Sequence, residues 1–258
     1  MFRTPLVFAC LVALCEPAAA QSAPSPGPDS QTSTQTSRDE TSLSSIFREL
    51  GGDFRDLPSL ETAAILGVGG GLSLAVHTED VQVTRRFSSS LGLEAVLEPG
   101  EAAGDGALHV GLALGVYAVG RYRHSHRVSL LGADLLRSQI VSTTLTQGIK
   151  LAVNRARPDG SRFSFPSGHT SLSVTTATVL ERHLGWRVGV PAYGLALWVG
   201  GSRMQENKHY LSDVIFGAAI GLVSGRTATI GRGKATFVMT PMAAPGGGGI
   251  SLTLVNRR

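Results

Sequence analysis

Three short stretches in the second half of the chain carry side chains of the kinds that hold and cleave phosphate. Lys150-x6-Arg157-Pro158 offers two cations. Pro166-Ser167-Gly168-His169 offers a hydroxyl, an unshielded backbone and an imidazole. Ser202-Arg203-x5-His209-x3-Asp213 adds a third cation, a second imidazole and a carboxylate. All of this falls within about sixty-four residues. It is the equipment needed to clamp an anion and break its ester bond through a histidine.

The spacing within each block suits that chemistry. Lys150 closes an apolar helical run, Arg157 lies seven residues on, and Pro158 stops helix continuation. A cation on a helix end and another on the following loop can approach one anion from two sides. Arginine supplies a planar fork and lysine a point charge. In the second block, proline and serine open a helix whose first N–H groups have no intrahelical partner, and such groups attract anions. In the third, His209 and Asp213 are four apart and so share one helix face. A carboxylate there holds the proton on one ring nitrogen and leaves the other as a nucleophile. Each block alone has an ordinary reading: a basic helix end, a capped helix, a surface ion pair. Those readings predict no common order, so the set argues for one site.

In these three blocks the chain resembles the type-2 phosphatidate phosphatase superfamily, which also contains bacterial acid phosphatases and vanadate haloperoxidases. The family pattern, Lys-x6-Arg-Pro, Pro-Ser-Gly-His and Ser-Arg-x5-His-x3-Asp, is matched without departure over Lys150–Asp213. The resemblance implies that His209 attacks phosphorus, that Asp213 orients it, and that His169 protonates the leaving oxygen and then activates water. It implies that Lys150, Arg157 and Arg203, with Ser167 and the Gly168 N–H, stabilise charge on the phosphoryl oxygens. No metal and no cofactor are expected, because three cations take the part that magnesium plays elsewhere. Two other readings stay open: a vanadate-dependent haloperoxidase, although such chains are usually much longer, and a non-catalytic envelope protein that keeps an anion pocket.

The elements that must position these groups read as helices. Six apolar runs stand out: Thr62–Val76, Ala107–Gly120, Val128–Val153, Thr170–Leu184, Val188–Gly201 and Leu211–Gly225. The fold class is therefore all-α, a bundle of about six core helices. Ser45–Leu50 reads as a short amphipathic helix. Lys234–Pro241 and Ile250–Val255 alternate apolar and polar residues around a glycine-rich loop and read as a short C-terminal β-hairpin. Gly67-Val68-Gly69-Gly70-Gly71 lacks a following Gly-Lys-Ser/Thr and reads as close helix packing, not a nucleotide loop. The turn Arg121–Arg127, with His124 and His126, reads as a solvated basic connection, and His77, His109 and His183 read as structural.

The first twenty residues resemble a secretory signal. They run from a positive start through an apolar stretch at Leu6–Leu14 to Ala18-Ala19-Ala20. Residues 21–45 are polar and read as a disordered leader. The domain expectation is a signal over 1–20, a leader over 21–45, a helical domain over 46–233 and a hairpin tail over 234–258. Both cysteines, Cys10 and Cys15, fall in the signal segment, which leaves the rest without disulfides or thiolate metal sites. Leu14 stands where a small residue would precede a lipidated cysteine, which disfavours Cys15 as an anchor.

Net charge is +4, only mildly basic, and charged residues make up 16% of the chain, below the soluble average of about 25%. The expected partner is a phosphorylated substrate, favoured as a lipid phosphate, and not a nucleic acid. Five of the six apolar runs are shorter than the roughly twenty residues of a bilayer span, and Val128–Val153 is longer but interrupted by Asp134, Arg137 and Gln139. If all three runs before Lys150 crossed, the site would lie opposite to Gln21–Leu60. An exported, periplasmic helical domain lying against a membrane is accordingly favoured over a multi-span protein.

Overall fold

The computed structural model describes residues 42–89 and 91–230, together with the backbone of 236–244 and 247–255. The expected signal and most of the expected leader lie outside the described residues. Ten α-helices are described, and each of the six apolar runs forms one of them. They are α2 (Leu60–Val76), α6 (Gly106–Tyr122), α7 (His126–Val153), α8 (Gly168–Leu184), α9 (Trp186–Gln205) and α10 (Leu211–Ala228). Their ends follow local chemistry. Ser59, Asp105 and Ser167 cap α2, α6 and α8 with side-chain oxygens, and Asn154 ends α7 in the left-handed region at φ 47°.

Four helices were expected only in part or not at all. α1 covers Leu43–Asp56, longer at both ends than the expected Ser45–Leu50, because Ser42 accepts from Ser45 N and caps it. A 3-10 turn at His77–Glu79 leads into α3 (Asp80–Ser88), followed by α4 (Leu91–Leu97) and α5 (Pro99–Ala103). These pieces are short, at nine, seven and five residues, so they carry no long apolar period. In the tail, β1 (Thr236–Ala244) lies antiparallel to β2 (Gly247–Val255).

α8 is the central post, packed against α7, α9 and α10. Its contact with α10 is made by small residues. A β-carbon at Gly217 would lie 2.6 Å from Ser167 O, and one at Gly221 2.6 Å from Ser171 O. The two backbones meet this closely because nothing larger stands between them. A cluster of Ala113, Leu131, Leu135, Val179 and Leu180 fills the end of the bundle away from Lys150.

The six long helices alternate in direction. Ser212 N, at the start of α10, donates to Asp80 Oδ1 just beyond α2 (2.9 Å), whereas Arg226 near the end of α10 pairs with Glu61 at the start of α2. The end of α7, the start of α8, the end of α9 and the start of α10 therefore share one face of the bundle.

The exterior bears on the choice between a domain lying on a membrane and one embedded in it. Leu197 on α9 is 69% exposed, while Ser142 on α7 is 0% exposed. The pattern is general. Leu72 and Leu74 on α2, Leu114 on α6 and Val190 and Leu195 on α9 face outward, and Ser138, Thr175, Thr178 and Ser224 face inward. Two described helical stretches, Leu60–Ser88 and Leu211–Ala228, are long and apolar enough to cross a bilayer, and a bent pair ending in α6 is a third. An apolar coat over a polar interior fits lipid as the surrounding solvent, so the protein is membrane-associated.

Candidate active site

All three blocks meet at the shared face. Lys150 sits in the last turn of α7, and its Nζ donates to Phe163 O (2.6 Å) across the connecting loop. A β-carbon at Gly168 would lie 4.0 Å from Lys150 Cε, so the lysine stem lies over the opening turn of α8. Ser167 caps that turn, and its Oγ is 2.9 Å from Thr170 Oγ1. His169 follows in the first turn. Gly104, just past α5, leaves room for its ring: a β-carbon there would be 3.0 Å from His169 Cδ2.

The third block folds back on itself. Lys208 N and His209 N both donate to Arg203 O, at 3.0 and 3.1 Å, which sets His209 beside the end of α9. Asn207 makes this reversal possible at φ 57°, a conformation that asparagine tolerates well. Lys208 Nζ reaches Asp159 Oδ2 (2.9 Å), and Asp159 N donates to Asn207 O, so the loops after α7 and α9 are tied together.

His209 is almost fully buried, with Nδ1 3.6 Å from Asp213 Oδ2 and without a hydrogen-bond partner. The separation is longer than a formed hydrogen bond. Burial pulls the His209 pKa down to about 4; Asp213 opposes this, and Lys150 and Arg157 reinforce it. The ring is consequently neutral at physiological pH, the form in which a nitrogen can act as nucleophile.

The cations are unevenly engaged. Arg157 Nε and Arg203 Nε are buried without hydrogen-bond partners. Arg203 Nη1 faces Glu206 Oε2 at 2.8 Å and Glu101 Oε1 at 3.4 Å. Buried donors left without acceptors are costly, and an anion placed among them would satisfy them.

Several groups at this face were not singled out from the sequence. Ser164 Oγ donates to Asp213 Oδ2, as does Tyr210 N (2.8 Å). Arg155 Nη1 donates to Asp213 Oδ1 (2.7 Å), and Arg155 Nη2 to Asp80 Oδ2 (2.7 Å). Arg155 was visible inside the first block, two residues before Arg157. Asp80 carried no signal beyond being an acid just past an apolar run. The three histidines read as structural all have protein partners: His77 meets Asp80, His109 meets Thr176 and Ser173, and His183 meets Asp134.

Residues 131–237 match the family described as the PAP2 superfamily. The chain carries a PAP2 superfamily domain. A lipid A 1-phosphatase of Porphyromonas gingivalis is 36% identical over 100 residues, covering 37% of this chain and 22% of the relative. A probable diacylglycerol pyrophosphate phosphatase of Schizosaccharomyces pombe is 38% identical over 77 residues, covering 24% of this chain and 27% of the relative. The chain spans less than half the length of these curated relatives. Among solved structures, a transmembrane PAP2-type phosphatidylglycerolphosphate phosphatase from Bacillus subtilis superposes with a TM-score of 0.57 at 22% identity, covering 66% of this chain and 95% of that one. This likeness is one of fold.

Proposed function

We propose that this protein is a membrane-embedded phosphohydrolase that cleaves a lipid phosphomonoester or pyrophosphate through a phosphohistidine at His209. The observation that carries the reading is the meeting of three blocks at one face, with a neutral His209 ring beside Asp213 and unsatisfied arginine donors around it. The named relatives are phosphatases of lipid phosphates, which favours ester cleavage over peroxide chemistry.

The steps follow from the charges. Lys150, Arg157 and Arg203, with Ser167 and the Gly168 N–H, hold the phosphoryl oxygens and spread their charge. The free ring nitrogen of His209 attacks phosphorus opposite the leaving oxygen. Asp213 stabilises the cationic ring that forms. An anionic phosphate beside His169 favours its protonated ring, and as the bond to the lipid oxygen breaks that ring gives the oxygen its proton. His169 then takes a proton from water, water attacks the phosphohistidine, and inorganic phosphate leaves. Because cations supply the charge stabilisation, we expect turnover in the presence of a chelator.

The helical body, about six core helices over residues 46–233, holds these parts. Lipid is favoured over a soluble ester because the coat of the bundle is apolar. We place the chain in the cell envelope, with its site at one membrane face.

The test is His209→Ala in the detergent-purified full chain, assayed on phosphatidate, phosphatidylglycerol phosphate, lipid A, undecaprenyl pyrophosphate and a chromogenic ester. Acid-labile labelling from a radioactive substrate is expected in the wild type and not in the variant. Undiminished turnover by the variant would remove the nucleophile. Faster cleavage of the chromogenic ester than of every lipid would remove the lipid reading.

A further inference from the structure

Arg155 makes its polar side-chain contacts with residues that flank the nucleophile and with one residue from far upstream. Its Nη1 donates to Asp213 Oδ1 and to Ser212 Oγ, both at 2.7 Å. Its guanidinium lies 4.2 Å above the ring of Tyr210. Tyr210, Ser212 and Asp213 are the first, third and fourth residues after His209. One planar group thus braces the turn that presents His209 and the carboxylate that faces it. A fork can do this and a point charge cannot.

Arg155 is itself held from the other side. Its Nη2 donates to Asp80 Oδ2 (2.7 Å), and Asp80 Oδ1 accepts from Ser212 N (2.9 Å). Ser212 Oγ also donates to Asp80. Asp80 is 1% exposed, and Asp213 is fully buried. A single guanidinium between two buried carboxylates has no freedom to rotate without leaving one of them unpaired, which is strongly unfavourable. Asp80 opens α3 and lies outside residues 131–237, so this arm comes from the N-terminal part of the chain.

We propose that Asp80 and Arg155 are positioning residues of the catalytic dyad: Asp80 anchors Arg155, and Arg155 fixes the Asp213 carboxylate and the turn that carries His209. This rests on the phosphohistidine reading above. The pair touches no substrate; it acts through Asp213. Loss of the anchor therefore changes turnover more than substrate affinity, and changes it only while Asp213 is a carboxylate.

The experiment is a double-mutant cycle in the detergent-purified full chain with phosphatidate as substrate. Asp80→Asn is expected to lower kcat about tenfold with KM within about twofold, the mark of an interaction expressed in the transition state. In an Asp213→Asn background the same change is expected to cost less than about twofold, because coupled residues are not additive. Equal losses in both backgrounds, or wild-type kcat in Asp80→Asn, would overturn the proposal. Should Asp80→Asn fail to fold, Arg155→Lys and Arg155→Met replace it. The lysine is expected to retain more kcat than the methionine, and equal kcat overturns the proposal. The cycle is repeated on the dissociation constant of inorganic vanadate, which needs the His209 geometry but no turnover; additivity there overturns the proposal as well. A non-additive vanadate cycle alongside full turnover by His209→Ala would sink the phosphohistidine while leaving the positioning pair standing.

Discussion

Two clusters of buried arginine, aspartate and histidine occupy opposite ends of the same helices, and they are wired differently. At the end away from the site, Arg137 on α7 donates to Asp53 through Nε (2.8 Å) and Nη2 (3.0 Å), to Glu49, and to Ala228 O (2.7 Å). Asp134 lies 3.3 Å from Arg137 Nη1 and 2.8 Å from His183 Nε2. Acids outnumber cations there, and the network closes on itself while pinning α1 to the bundle. About 24 Å along α7, sixteen residues at 1.5 Å each, Lys150 ends the helix among Arg157, Arg203 and His209. There cations are in excess, and three buried nitrogens lack partners. The same residue types make a clamp where acids are in excess and a receptor where cations are.

The largest expected effect separates the two ends directly. Arg157→Ala is expected to cut kcat/KM by about 10²–10³-fold, the range seen when one donor to a transition-state oxygen is lost. Arg137→Met is expected to keep kcat per folded molecule and to lower stability by about 3 kcal/mol, because buried carboxylates lose their partner. Steady-state kinetics and denaturation in detergent read the two outcomes. A catalytic defect in Arg137→Met without loss of stability would erase the distinction.

Anion binding sharpens it. Inorganic vanadate at about a hundred times its dissociation constant is expected to stabilise the wild type by about 2.7 kcal/mol. Arg157→Ala is expected to lose most of that stabilisation, and Arg137→Met to keep it relative to its own baseline. Thermal unfolding with and without vanadate checks this.

The pH profile is a smaller test. His209 is reactive when neutral, and its pKa is lowered to about 4. The expected acid limb of kcat/KM falls about tenfold per unit as pH drops through about 4, with no break near the ordinary histidine value of about 6.5. An acid limb centred at 6.5 would mean that His209 does not feel the burial and positive charge described here. The smallest expected change is Ser164→Ala, which removes one bond to the Asp213 carboxylate. It is expected to cost about 1.5 kcal/mol in kcat/KM, roughly tenfold.

The long helices were legible because each carries a run rich in apolar residues, and all six runs lie within helices of similar bounds. Their environment was harder to read. Ser138, Gln139 and Ser142 lower the hydropathy of α7, but they face the interior and leave its flanks free for lipid. A linear sum counts those residues against a membrane; a folded helix hides them. The motif residues were legible through fixed spacing along the chain. Arg155 lies inside its block, at a position that the Lys150–Arg157 spacing does not mark. Asp80 is seventy-five residues away from Arg155 in sequence, and no local pattern announces such a contact.

The alternating direction of the six long helices has a topological consequence. With six crossings, the beginning of α2 and the end of α10 lie on the same side of the bilayer, and the catalytic face lies on the other. A cleaved export signal at Ala20 and an outward-facing site thus exclude each other if every helix crosses. One reporter fused just after α10 assigns the compartment of Leu60, of Ala228 and, by subtraction, of His209.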